Sequence, residues 1–167
     1  MSAHENNELL AFEAIRQVKA RYCRFIDTKQ WQRLEQLFTL DAHLEGLGSA
    51  PDGANPASFV KGIATRFATA VSVHHVQAPE ITMLAPGRAR GIWSMMDYVQ
   101  FDARAASEKV PSEQGWVGWG YYEEEYVLRD GVWLISFMRL ARQRMDALSN
   151  DHPAVELGRL GPTPDWL

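Results

Sequence analysis

Between Glu8 and Ile26 the apolar residues Leu9, Phe12, Ile15, Val18, Tyr22, Phe25 and Ile26 return every three or four positions. That spacing gathers them on one side of a helix and leaves the polar residues on the other, which predicts an amphipathic helix over Glu8 to Ile26. Trp31, Leu34, Leu37 and Phe38 repeat the pattern over a shorter run. Asp27, with Gln30 three places later, reads as a capping arrangement at the start of this second helix. Asp41 to Gly48 reads as a short strand, and Pro51 to Pro56 as a loop rich in Gly, Pro and Asn. Ser58 to Thr69 carries Phe59, Val60, Ile63 and Phe67 and is expected to form a third helix.

The second half changes period. Val76 to Leu84, Ala89 to Phe101, Gly115 to Leu128 and Val132 to Arg144 are rich in β-branched and aromatic residues and read as strands. Ala85-Pro86-Gly87 and Arg129-Asp130-Gly131 are the turns between them, since Asp-Gly accepts positive φ at low cost. Asp102 to Gln114 reads as a polar loop and Asp151 to Leu167, with its three prolines, as an irregular tail. Helices first and hairpin-linked strands last predict an α+β fold. One domain is expected over residues 1–167, with its core at about 8–146 and a tail at 147–167. Trp116 and Trp119 fall on opposite faces of one strand, as do Trp133 and Leu134 on the next. A sheet with bulky residues on both faces is expected to be covered twice, by the helices and by another subunit.

Composition narrows the function classes. With 46% apolar residues the chain of 167 can bury one sizeable core. A net charge of −4 argues against a nucleic-acid partner. Arg139, Arg142 and Arg144 on one side, and Glu123, Glu124 and Glu125 on the other, read as solvated faces. Cys23 is the only cysteine, so no intramolecular disulfide forms, and its place in the apolar stripe suggests a small buried hydrophobe. No run approaches the roughly 20 apolar residues of a membrane span, and Met1 to Asn7 is polar. The expectation is a cytoplasmic protein with neither membrane nor nucleic acid as partner.

A few residues could carry chemistry. Asp27 closes the first helix, where a carboxylate faces the negative end of the helix dipole, so it either caps the next helix or serves a site. His74 and His75 are neighbours on a strand and point to opposite faces, so at most one faces a pocket. A neutral imidazole there could accept a proton, and a carboxylate beside it would fix its tautomer. Tyr22, five residues before Asp27, is either a core aromatic or a phenol that donates to a substrate oxygen. Arg139 shares parity with Trp133, Ile135 and Phe137, so it is exposed, paired or waiting for a ligand. Phe12, Trp93, Met95, Met96 and Tyr122 are candidates for holding a ring system, though core packing explains them as well. Asp41, His43 and Glu45 share a strand face that reads as polar surface before it reads as a metal site. Phosphate-binding loops, nucleophile elbows and helical metal-binding His pairs are missing from the sequence.

The segments Tyr22 to Asp27, Trp31 with Leu37 to Ala42, His74 with Pro79 and Ile81, Gly120 with Tyr122, Glu125-Tyr126, and Asp130 to Trp133 resemble, in order and spacing, the SnoaL-like branch of the nuclear transport factor 2-like superfamily. The resemblance runs from about Glu8 to Asp146. It implies a cone-shaped α+β barrel, with N-terminal helices packed on a highly curved, mostly antiparallel sheet of cystatin-like type. Relatives such as scytalone dehydratase and bile-acid 7α-dehydratase use a His-Asp pair in an apolar pocket and need no cofactor. By position Asp27 and His74 match that pair, Tyr22 matches a family tyrosine, and Arg139 lies near an arginine of the last strand. The resemblance therefore implies a cofactor-independent lyase, a dehydratase, acting on a small hydrophobic cyclic molecule such as a polyketide, steroid or aromatic-derived alcohol. An isomerase of ketosteroid type is the neighbouring reading. A non-catalytic binding or assembly subunit, like the β chain of ring-hydroxylating dioxygenases, is the other. A homodimer or homotrimer through the sheet accompanies each of them.

Overall fold

Three helices lie on one face of a five-stranded sheet in the computed structural model, which describes residues 3–101, 114–149 and 151–153. The elements are α1 (Ala3–Asp27), α2 (Trp31–Glu35), β1 (Phe38–Glu45), α3 (Pro56–Arg66), β2 (Val71–Ala85), β3 (Arg88–Gln100), β4 (Gly115–Arg129) and β5 (Val132–Ala147). The order across the sheet is β1-β5-β4-β3-β2. Only the β1–β5 pair among these is parallel; the other three are antiparallel. This is the curved, mostly antiparallel sheet under N-terminal helices that the family resemblance implies.

The apolar stripe of α1 is the reason it sits where it does. Ala11, Ile15, Val18, Tyr22, Phe25 and Ile26 are buried against the sheet, while Glu13, Arg16, Gln17, Ala20 and Arg21 on the far side are exposed. The helix ends in a Schellman turn: Gln30 N–H donates to Phe25 O (2.8 Å) and Lys29 N–H to Ile26 O (3.1 Å), with Lys29 at φ 61°. Asp27 therefore belongs to the last turn of α1. It does not cap α2, whose N-cap is Gln30 without a side-chain cap bond, because the turn delays the new helix to Trp31. Phe38, expected at the end of that helix, instead opens β1. In α3, Asn55 Oδ1 accepts from Ser58 N–H at 2.9 Å and Pro56 fills the first turn.

The β4–β5 hairpin turns at Asp130 (φ 51°) and Gly131 (φ 80°), as Asp-Gly predicts. Two bulges interrupt the pairing of β5 with β4: Glu125 faces Phe137 but Tyr126 faces Ile135, and Trp119 faces Arg144 but Gly120 faces Arg142. Ser136 and Gln143 are the unpaired residues, and each reverses the inward–outward phase of the residues beyond it. Trp116 and Trp133 point inward and are buried; Trp119 points outward and is 38% exposed. The loop expected at Asp102 to Gln114 and the tail expected at Asp151 to Leu167 lie largely outside the described residues.

Candidate active site

Two elements bring Asp27 and His74 together: the end of α1 and the start of β2, which α1 crosses. His74 Nδ1 is 2.7 Å from Asp27 Oδ1, and the His74 backbone N–H donates to Asp27 Oδ2 at 2.8 Å. The Ser72 hydroxyl donates to Oδ1 at 2.9 Å. A carboxylate can only accept, so Nδ1 carries the proton in this contact and Nε2 keeps a free lone pair. The His74 side chain is 6% exposed and that of Asp27 22%. His75, one residue on, is exposed on the outer face.

His74 opens on a small cavity of about 30 Å³, lined also by Tyr22, Tyr122, Asp97, Arg142, Arg66 and Trp116 among others. Tyr22 and Tyr122 meet edge to face with ring centroids 5.7 Å apart, and their phenols are hydrogen-bonded. Burial pushes both phenols well above the ordinary tyrosine range, so both stay protonated; one O–H is spent on the other phenol, which leaves a single O–H to donate into the cavity. Asp97 pairs with His74 across the β2–β3 ladder and grips Arg142 through two bonds of 2.9 and 2.6 Å. Burial alone would raise the Asp97 carboxyl, but Arg142, with a bond from Trp116 Nε1, holds it below its usual value. Burial opposes the charge on Arg142 in turn, and Asp97 keeps the guanidinium firmly protonated. Gly118 makes room for this pair. A Cβ there would collide with Arg142 Nη1 and Asp97 Oδ1. We expect Gly118→Ala to displace the pair and destabilise the protein by roughly 1–3 kcal/mol in urea unfolding, where the same change at an unhindered strand glycine would gain about 0.5–1 kcal/mol.

The sequence-predicted residues divide accordingly. Asp27, His74, Tyr22 and Tyr122 converge, the carboxylate backing His74 and the two tyrosines lining the cavity. Arg139 does not reach it. The expected parity with Ile135 breaks at the Ser136 bulge, so Arg139 points outward, is about half exposed, and pairs with Glu123 at 2.5 Å. Arg142 takes the inward place. Trp93 and Met95 are buried on the inner face, with Trp93 Nε1 donating to Tyr126 Oη at 2.9 Å; neither lines the cavity. Met96 lies on the opposite face, one residue out of phase. Phe12 is half-buried four turns up α1 from Asp27, about 22 Å along the axis. Asp41, His43 and Glu45 form no metal cluster, and none is found among the described residues. Cys23 is buried as expected, its thiol pushed up to about 12 mainly by desolvation.

Glu124, which the sequence read as part of a solvated face, instead forms a buried ion pair with Lys19 beneath the tyrosines. Lys19 Nζ lies 2.5 Å from Glu124 Oε1, both side chains fully buried. The ammonium sits 3.3 Å from the centroid of the Tyr122 ring and 4.2 Å from that of Tyr22. Tyr126 Oη donates to the other Glu124 oxygen. A wider depression of about 730 Å³ lies on the outer face, but its arginines are already paired: Arg90 with Glu125 and Arg139 with Glu123.

A curved, mostly antiparallel sheet under N-terminal helices is the nuclear transport factor 2-like fold. The SnoaL-like domain model matches residues 7–139, and the chain belongs to that family. It is 24% identical over 147 residues to a candidate cyclase, FGR4, of Gibberella zeae, covering 81% of this chain and 93% of that one. Among solved structures it resembles a candidate scytalone dehydratase of Novosphingobium aromaticivorans DSM 12444 (TM-score 0.72, 17% identity, 93% of this chain and 99% of that one). It also resembles LinA-type3, a hexachlorocyclohexane dehydrochlorinase of Novosphingobium barchaimii LL02 (TM-score 0.71, 17% identity, 91% and 99% covered). At such identities the structural likeness shows the fold. Among the described residues no helix is long and apolar enough to cross a membrane.

Proposed function

We propose that the chain is a cofactor-independent lyase that removes water from a small cyclic hydrophobic substrate. The observation that carries this reading is the Asp27–His74 contact at the wall of a small cavity. His74 Nε2 takes a proton from a carbon next to a carbonyl. Asp27 holds the ring in the Nδ1–H tautomer and stabilises the imidazolium that forms. The oxygen that gains charge lies toward the Tyr22–Tyr122 phenols and Arg142, donors already fixed in place by their own partners. The proton on His74 then leaves with the departing hydroxyl as water.

The likeness to a candidate cyclase supports a second reading, in which the same base removes a proton and an acid returns one elsewhere, with no loss of mass. The two are separated by incubating the pure protein with cyclic β-hydroxy ketones in deuterated water and following products by mass spectrometry. Loss of one water supports the lyase. Deuterium uptake at unchanged composition supports the isomerase or cyclase. Neither change across hydroxysteroid, polyketide-like and aromatic-derived substrates would overturn both.

The cavity of about 30 Å³ holds little more than a water molecule, so a ring-bearing substrate must displace lining side chains to enter. We also infer that copies of the chain meet through the outer sheet face, as a dimer or trimer. Ile92 (42% exposed), Trp119 (38%) and Tyr121 (44%) support this, because together they leave an apolar face in water. Light scattering behind gel filtration is expected to report an oligomer, and Trp119→Glu with Tyr121→Glu to convert it to monomer. A monomeric wild-type protein at micromolar concentration would overturn this inference. A cytoplasmic enzyme goes with the reading, Cys23 being a single buried thiol with no disulfide to form.

A further inference from the structure

The hydrogen bonds around Asp27 do not end at Ser72. Lys29 Nζ donates to Ser72 Oγ at 3.1 Å, Ser72 Oγ donates to Asp27 Oδ1 at 2.9 Å, and the same oxygen accepts from His74 Nδ1 at 2.7 Å. An ammonium can only donate. Ser72 must therefore spend a lone pair on Lys29 and direct its own proton at Asp27, which fixes a hydroxyl rotor that would otherwise turn freely.

The backbone of Lys29 is a second, independent sign. It occupies the left-handed position that ends the Schellman turn of α1, at φ 61°, where glycine is the least strained choice. A lysine held there at a conformational cost places its ammonium back toward the helix end. The ammonium lies 5.8 Å from the Trp31 ring centroid and 5.4 Å from that of Phe67. Burial lowers the pKa of Lys29, and the charge of Asp27 works against that lowering. Asp27 itself sits at the negative end of the α1 dipole, where a nearby cation offsets the repulsion.

Building on the dyad reading, we propose that Lys29 and Ser72 are positioning residues: Ser72 locks the rotation of the Asp27 carboxylate, and Lys29 supplies the positive charge that sets how readily His74 takes up a proton. The other ionisable groups facing His74 are Tyr22 from α1, Arg66 from α3, Asp97 from β3, Tyr122 from β4 and Arg142 from β5. Asp97 and Arg142 neutralise each other. Lys29 is the cation wired into the carboxylate that His74 itself touches.

The test needs no substrate. The full chain, labelled with ¹⁵N-histidine, is titrated by NMR, with the His74 resonances identified by their loss in His74→Gln. Lys29→Met keeps most of the alkyl stem and removes the charge, so protonation of His74 becomes easier. Its titration midpoint is expected to move up by about half a pH unit or more. Lys29→Arg should return it toward the wild-type value. Lys29→Gly should show the same upward shift as the methionine while making the protein more stable, which separates charge from backbone strain. Ser72→Ala should also shift the midpoint upward and speed exchange of the Nδ1 proton. A merely structural role would change stability and leave the midpoint in place. Titrations of Lys29→Met and Ser72→Ala that superimpose on wild type would overturn the proposal while leaving the dyad intact. If Asp27→Asn also leaves the His74 resonances unmoved, the dyad reading falls with it.

Discussion

Asp27→Asn is expected to lower turnover by about 10³-fold or more while circular dichroism and cooperative unfolding remain those of a folded protein. Three donors converge on the Asp27 carboxylate: His74 N–H, His74 Nδ1–H and Ser72 O–H. An asparagine has one acceptor oxygen and presents an NH₂ to at least one of those donors. The imidazole relieves that clash by moving its proton to Nε2, which turns the base into a donor at the atom that should receive the substrate proton. His74→Gln removes the base outright and should be as severe. The two changes act on one unit, so the double variant should be little worse than either single one. Turnover within tenfold of wild type in either variant would remove the dyad from the mechanism. The rate is measured on whichever cyclic substrate the mass screen identifies.

The largest effect on stability is expected at the buried ion pair. Lys19→Met leaves the Glu124 carboxylate without its cation in a fully buried place, and such a change costs about 3–5 kcal/mol. Glu124→Gln strands the ammonium in the same way, although the two aromatic faces beside Lys19 compensate in part. Lys19→Met combined with Glu124→Gln should recover much of the loss, because a neutral amide still accepts from Tyr126 and no charge is left unpaired. Urea unfolding of the four proteins gives the coupling directly. Losses that simply add would show that the pair does not act as a pair.

The hairpins and the helical stripe of α1 were plain in the sequence because each depends on neighbours a few residues apart. Asp27 and His74 were legible through the family resemblance, since 47 positions separate them and no local spacing joins them. Arg142 was missed for a definite reason. Counting alternate residues from Trp133 leads to Arg139, and the extra residue at Ser136 reverses the count. Glu124 and Asp97 had a readable signal that charge obscured. Glu124 alternates with Tyr122 and Tyr126, and Asp97 with Trp93, Met95 and Val99, so each shares the inward phase of a buried row. An acid inside such a row asks for a buried partner. Lys19 sits beside Val18 and one turn before Tyr22, at the margin of the stripe, where periodicity alone does not decide its side. Met96 went the other way: its neighbour Met95 is core, and a strand sends the two to opposite faces.

The parallel pairing of β1 with β5 has a consequence for how the chain comes to be folded. β1 finds its hydrogen-bonding neighbour, beginning with Ile135 N–H on Leu37 O, in a segment made almost 100 residues later. On the ribosome the helices emerge with their apolar sides turned to nothing, and no hairpin formed along the way can shelter them completely. The domain reaches its final arrangement only after β5 has left the exit tunnel, because β1 has no neighbour in the sheet until then.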